Sequence, residues 1–498
     1  MEFQAVAGQR LVLNQDDSVT AYFDHFIKSD REGRLILVAY RDDMAQYFPF
    51  VVFPPSMSLE QLKAERPFLC MAIMMVACRH DIARRTAMIK RVREIVSQRT
   101  VVQAERSLDI LQGLLVCLGW HHFQSQLGPS LASFVYLALT VMTDLGLNKQ
   151  VVQSRFAKPQ REYFAANGIM HVHAPRTLDE RRAFLGCLYL TSIVSICARD
   201  IERIRYTKYA DECCRSIAEA AETPTDLYLL ELIKICRLSE KINQTVGPEN
   251  WDMPSGLSSP VGASVTALHG ELQSLKATIP PTLLENVFVA DIVDLLLLHY
   301  HITETVLFEI ALDNSIDSTQ YGTYPVSRLT MLFACLTSTQ HFFETFHRLS
   351  VTVYFDLPYS TWSLLTHQNV VLSKLSLFVG DGWEQTYVAN TLDFFTILDT
   401  FTAKVEEAKI YAMQYCQQES ETGYDRLLRE IPVFFDSIAA RIHEAKTVHQ
   451  MIRTTQSQAP TPNITKTGAT DTTLEFADEF GIQNNMLFEF LDDGFWQS

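Results

Sequence analysis

Residues 131–147, LASFVYLALTVMTDLGL, decide the fold class. Leu131, Phe134, Val135, Ala138, Val141, Met142 and Leu145 fall at i, i+3 and i+4, which lines them along one face of a helix. Gly146 follows where a C-terminal cap is expected. The same grammar extends in both directions. Upstream, Ser58-Leu-Glu-Gln61 reads as a capping box, and Arg66-Pro67 opens an apolar helix running through Cys78. The stretch Asp43 to Phe53 ends at Pro54-Pro55, which stops any helix. Downstream, Thr177-Leu-Asp-Glu180 is a second capping box, leading into Arg181 to Ala198. Thr223-Pro224-Thr-Asp226 places a cap, a first-turn proline and a first-turn acid in order. The helix after it carries Tyr228, Leu229, Leu232, Ile235, Cys236 and Ile242 on one side. Asp291 to Leu312 is apolar nearly all round, which implies burial on several sides.

Glycine supports the same class. Only 19 occur in 498 residues, about half the usual frequency, so the tight turns of sandwiches and barrels are in short supply. The expectation is an all-α body from about residue 20 to 450, with no sheet of more than two short strands. A loop rich in Pro, Gly and Ser at 245–262 divides it into two packed helical lobes, 21–245 and 262–450, after a flexible N-terminus at 1–20. Residues 453–473 hold eight Thr and two Pro and almost nothing to bury, which reads as a disordered linker spanning 451–473. A tail, 474–498, alternates acids with aromatics and has no Lys or Arg.

Composition narrows the function. The apolar stretch Phe68 to Cys78 is far short of the roughly 20 residues a bilayer helix needs, so no membrane partner is expected. The N-terminus lacks a basic start followed by an apolar region, so no secretory leader is expected. The 10 cysteines are scattered and sit mostly in apolar helical stretches, without any C-x2-C pair. They read as small buried hydrophobes of a reducing compartment. A net charge of −16 argues against unaided DNA binding.

No G-x-G-x-x-G, phosphate loop, G-x-S-x-G or H-E-x-x-H occurs. The chain is therefore expected to have no catalytic residue, no metal and no cofactor. His121-His122, His171-Val-His173 and His299-Tyr-His301 are the histidine pairs. On a helix, residues two apart point about 200° away from each other, so His299 and His301 cannot share a metal there. His171 and His173 could in an extended loop, but no third ligand accompanies them. A basic stretch with Arg84, Arg85, Lys90, Arg91, Arg93 and Arg99 is diluted by Asp81, Glu94 and Glu105. It reads either as a solvated helix face or as a nuclear-import or partner-docking patch, with Arg84, Arg85, Lys90 and Arg91 its candidates. Arg199, Arg203, Arg205 and Lys208 form a second group, where helix capping competes with an anion pocket.

Several stretches, taken in order, carry a resemblance. They are Tyr47-Phe-Pro-Phe-Val-Val-Phe-Pro-Pro55 with Glu65-Arg-Pro-Phe-Leu69, then Glu105-Arg-Ser-Leu-Asp-Ile-Leu-Gln-Gly113 with Trp120-His-His-Phe123. Next come Asp144-Leu-Gly-Leu147 and Asp179-Glu-Arg-Arg-Ala-Phe-Leu-Gly-Cys-Leu-Tyr189, followed by Arg205-Tyr-Thr-Lys-Tyr209 and Glu212-Cys-Cys214. Together they resemble the middle regulatory region of fungal zinc-cluster transcription factors, over about residues 40–245 and more weakly to about 450. The resemblance implies a large all-helical domain with regulatory roles. The family's head holds two zinc ions with six cysteines in a short basic segment. Here the first cysteine is Cys70, within an apolar helix, so the head is expected to be absent and no zinc-ligand or DNA-contact residue carries over.

Two functions follow as expectations. The favoured one is a nuclear transcription regulator or co-regulator of a metabolic or secondary-metabolite gene set. It would work through contacts with other transcription factors or co-activators, as a homo- or heterodimer in one version, and reach DNA only indirectly. The alternative is a helical small-molecule-binding protein or enzyme with a site assembled from distant residues. In the tail, Phe488, Phe490, Leu491 and Trp496 are the candidate activation or partner-binding motif. Leu487, Phe490 and Leu491 fit i, i+3, i+4, and such a segment folds on a partner's groove or docks back onto its own body.

Overall fold

The computed structural model describes residues 15–78, 82–123, 130–149, 176–197, 201–246, 261–284, 290–313, 328–420 and 431–458. The first half contains α1 (Gln15–Phe26), α2 (Asp30–Ala39), α3 (Leu59–Glu65), α4 (Pro67–Ala77), α5 (Ile82–Ser97) and α6 (Leu108–Gly119). It continues with α7 (Leu131–Asp144), α8 (Leu178–Cys197), α9 (Lys208–Ala220) and α10 (Asp226–Val246). The second half contains α11 (Val261–Ala277), α12 (Pro281–Leu284), α13 (Ala290–Phe308), α14 (Arg328–Arg348) and α15 (Tyr359–Leu377). It ends with α16 (Gln385–Thr391), α17 (Phe394–Ser420) and α18 (Ile431–Gln458). The fold is all-α, and no strand occurs among the described residues.

Local signals place most of these boundaries. At α3, the Ser58 hydroxyl accepts from the Gln61 amide while the Gln61 side chain accepts from the Ser58 amide. The same reciprocal pair forms ahead of α8 between Thr177 and Glu180, at 2.8 and 3.1 Å. Gly146 closes α7 with φ +65°, a conformation open to glycine at little cost. The apolar face read from 131–147 points inward, with Phe134, Val135, Ala138, Val141 and Met142 buried.

Four boundaries differ from the sequence reading. α1 begins at Gln15, within the stretch 1–20 expected to be flexible. Residues 40–47 wind into a π turn and a 3-10 turn, so the helical run ends at Tyr47, ahead of Pro49 and well before Pro54. α10 starts at Asp226, not at Pro224, and the Asp226 carboxylate accepts from the Thr223 amide at 2.9 Å. α18 continues through Gln458, into residues read as linker. Thr454 and Thr455 bond back to the carbonyls of Gln450 and Met451, and no proline intervenes before Pro460.

The core is one hydrophobic cluster whose members run from Tyr22 to Ala445. α4, buried on every side, packs against α1, α2, α3, α5 and α6. α8 packs on α6, α7, α9 and α10, and also on α15 from the second half. α13 lies between α10, α11, α14 and α15. The stretch Ala290–Leu312 corrects one expectation. It is long and apolar enough to cross a bilayer by length and composition alone, unlike 68–78, yet 72% of its apolar window is buried inside the body. Its apolarity serves helix packing on several sides, as its pattern implied.

Candidate functional site

The stretches that carry the family resemblance meet in the interior. Tyr40, Phe48, Phe50, Trp120 and Tyr189 form one aromatic cluster, with Phe50 and Tyr189 at 4.9 Å and Phe48 and Trp120 at 5.9 Å between ring centroids. The Trp120 indole donates to the Asp356 carbonyl at 3.1 Å, fastening the two halves of the chain. Two glycines let neighbouring helices approach closely. A Cβ at Gly113 would stand 2.4 Å from the Phe68 ring, and one at Gly186 would stand 2.9 Å from the Phe50 Cβ.

The charged residues of the same stretches form caps and ion pairs. Asp109 accepts from the amides of Phe68 and Leu69, at 3.1 and 2.8 Å, and so caps α4 from α6. Arg99 pairs with Glu105 at 2.6 Å and reaches Asp109 at 3.5 Å. Arg66 bridges Gln112 at 2.9 Å and Asp179 at 2.7 Å. Arg182, whose side chain is fully buried, lies 3.1 Å from Asp226, 2.8 Å from Glu222 and 3.5 Å from Asp179. Arg106 joins Asp144. These acids and bases pair with one another and tie α4, α6, α7, α8 and α10 together. They form a scaffold of caps and ion pairs.

The four basic candidates do not share one surface. Arg84 is turned inward, pairing with Glu32 at 2.9 Å and donating to the Phe26 carbonyl at 3.2 Å. Arg85 is buried with its guanidinium 4.1 Å from the Phe123 ring centroid. Lys90 is exposed, and Arg91 is half-buried beside Glu94 at 2.9 Å. Of the second group, Arg203 donates to Ser239 on α10, Arg205 and Lys208 are exposed, and Arg199 lies outside the described residues. The tail candidates Phe488, Phe490, Leu491 and Trp496, together with His171 and His173, also lie outside the described residues.

The remaining histidine pairs separate. His121 and His122 are both buried in aromatic surroundings. His299 faces the core, with Nδ1 2.7 Å from the Leu295 carbonyl and Nε2 2.9 Å from the Tyr189 hydroxyl. Burial holds its pKa down to about 4. With Nδ1 donating to that carbonyl, Nε2 accepts from tyrosine. His301 turns instead toward α14, with its ring centroid 5.5 Å from that of His341. Of the described cysteines, Cys214 is half-buried and the others are buried. Burial pushes the thiols of Cys117, Cys187 and Cys236 up to about 12, so they stay protonated, unlike ligand or nucleophile thiolates.

The chain is 28% identical over 381 residues to transcription factor opdL of Penicillium oxalicum, an alignment covering 74% of this chain and 64% of that protein. It is 24% identical over 379 residues to transcription factor himD of Aspergillus japonicus, covering 75% and 60%. This chain is similar to fungal transcription factors. A third relative, transcription factor pbcR of Emericella nidulans, is 25% identical over 237 residues, covering 45% of this chain and 31% of its own. The chain thus spans about three fifths of the length of opdL and himD, at 64% and 60%. A family model described as a C-terminal domain matches residues 351–495, which include α15 through α18. No solved structure matches.

Sequence reading missed one arrangement. His301 and Glu304 on α13 come together with His341 on α14 and His269 on α11. Only the i, i+3 spacing of His301 and Glu304 was visible, because the other two histidines arrive by helix packing.

Proposed function

We propose that this chain is a nuclear transcription regulator, or a co-regulator, that controls a metabolic gene set such as one for secondary metabolism. It acts through contacts with other transcription factors or co-activators, as a homo- or heterodimer in one form, and reaches DNA indirectly. One observation carries the reading: named fungal transcription factors align with about three quarters of the chain, at 74% and 75% coverage. Proteins of that kind are in general not enzymes. The scaffold agrees, since its motif residues are used in packing, capping and charge pairing. A net charge of −16 disfavours a direct hold on phosphates and favours a basic or apolar protein partner.

Activation is proposed to reside in 474–498. Acids there keep the segment solvated, while Phe488, Phe490, Leu491 and Trp496 supply apolar anchors for a partner's groove. The test fuses residues 474–498 to a heterologous DNA-binding domain and reads a reporter. The expected result is activation that disappears when the four anchors become alanine. A silent fusion, together with a lower melting temperature of the full chain on tail deletion, would make the tail a structural clasp.

A further inference from the structure

We propose that His301, Glu304 and His341 form a binding site for a divalent transition ion of the zinc class, steadied by His269 and Gln273 and joining α11, α13 and α14. The proposal does not depend on the transcriptional reading. One donor atom from each of His301, Glu304 and His341 lies within 4.8 Å of the others. An ion midway between three such atoms sits about 2.8 Å from each, so inward movements of under about 1 Å reach the 2.0–2.2 Å bonds of zinc. His341 is exposed and its side chain is free to make that movement. Two imidazoles and one carboxylate, with remaining positions open to water, are the donor set of three-ligand zinc sites.

The surroundings are built in the way that metal ligands usually are. The two oxygens of Glu304 face different partners. Oε1 is held by His269 Nε2 at 2.9 Å and by the Gln273 amide at 2.8 Å, and Oε2 faces His301 Nδ1 at 3.8 Å. The distance of 3.8 Å is too long for a hydrogen bond, and a shared cation fits between the two atoms. Hydrogen bonds that fix one carboxylate oxygen while the other binds are the usual outer support of a ligand. His269 is itself set by the Phe308 ring, edge to face at 5.1 Å.

Gln273 Nε2 also lies 3.0 Å from His269 Nε2. Glu304 Oε1 therefore faces two donors, the His269 ring nitrogen and the Gln273 amide.

The test uses the full chain stripped with chelator and titrated with Co2+ and Zn2+. The expected result is one equivalent bound, a visible d–d absorption from Co2+ that Zn2+ abolishes, and a higher melting temperature with metal. His341→Ala and Glu304→Gln should each weaken binding at least tenfold. His341 is exposed, so its variant should melt as the metal-free parent does. The absence of stoichiometric binding, or binding left unchanged by both variants, overturns the proposal. In the second case the ion sits elsewhere on the chain.

Discussion

Replacing Arg182 by methionine tests the physical account of the scaffold most sharply. The guanidinium is fully buried and faces Asp226 through two hydrogen bonds, each 3.2 Å. The Asp226 side chain is 4% exposed and also holds the Thr223 amide at 2.9 Å. Removing the arginine strands this carboxylate in the interior, and breaking a buried pair in this way costs about 3–5 kcal/mol. Glu222 also touches Arg182, at 2.8 Å, but its side chain is 56% exposed and water replaces the partner. Glu222→Ala should therefore cost under about 1 kcal/mol. Domain stabilities run about 5–15 kcal/mol, so the first change is severe and the second is minor. A double variant, Arg182→Met with Asp226→Leu, removes both charges and should be less damaging than either single change. Denaturant unfolding followed by far-UV circular dichroism, with thermal melting alongside, reads the order. If Arg182→Met lowers the midpoints no more than Glu222→Ala does, the buried pair is not a structural determinant and the reasoning fails.

Two glycines give opposite signs in the same assay. Gly113→Ala puts a methyl 2.4 Å from the Phe68 ring and should destabilise by about 1–3 kcal/mol. Gly270→Ala meets nothing within 4 Å and should stabilise by about 0.5–1 kcal/mol; reversal of either sign would count against the packing described. Acid sensitivity follows from His299, which burial holds at about 4, against about 6.5 when unfolded. The folded pKa is depressed, so the unfolded chain binds the proton first and stability falls as pH drops from about 6.5 to about 4. The loss is on the order of 3 kcal/mol from this ring alone. A melting temperature that stays level from about pH 8 to pH 5 would contradict that sign.

Local features were legible where one short stretch carries the whole signal. Ser58 with Gln61, and Thr177 with Glu180, announce their capping boxes because both partners lie within one turn. The inward face of α7 follows from spacing alone. Long-range chemistry was not legible. Arg84 and Arg85 look like surface charge in sequence. Their burial depends on Glu32 and Phe123, which come from other parts of the chain. Asp226 reads as a first-turn acid, but its main partner is Arg182, on α8. The group at His301 and Glu304 stayed hidden for the same reason, since His269 and His341 each come from a different helix. The run at 290–312 shows the limit of apolarity as a signal. Length and composition fit a bilayer, and only the helices packed around it show a buried core position.

The central claim is that the chain changes which genes are transcribed. The most direct measurement compares transcripts genome-wide between a strain that carries the gene and one from which it is deleted, grown under matched conditions. The account expects a coherent set of metabolic genes to rise or fall together, with transcript levels restored when the full chain is returned. An unchanged transcriptome, with a single metabolite accumulating in the deletion strain, would contradict the account and favour an enzyme.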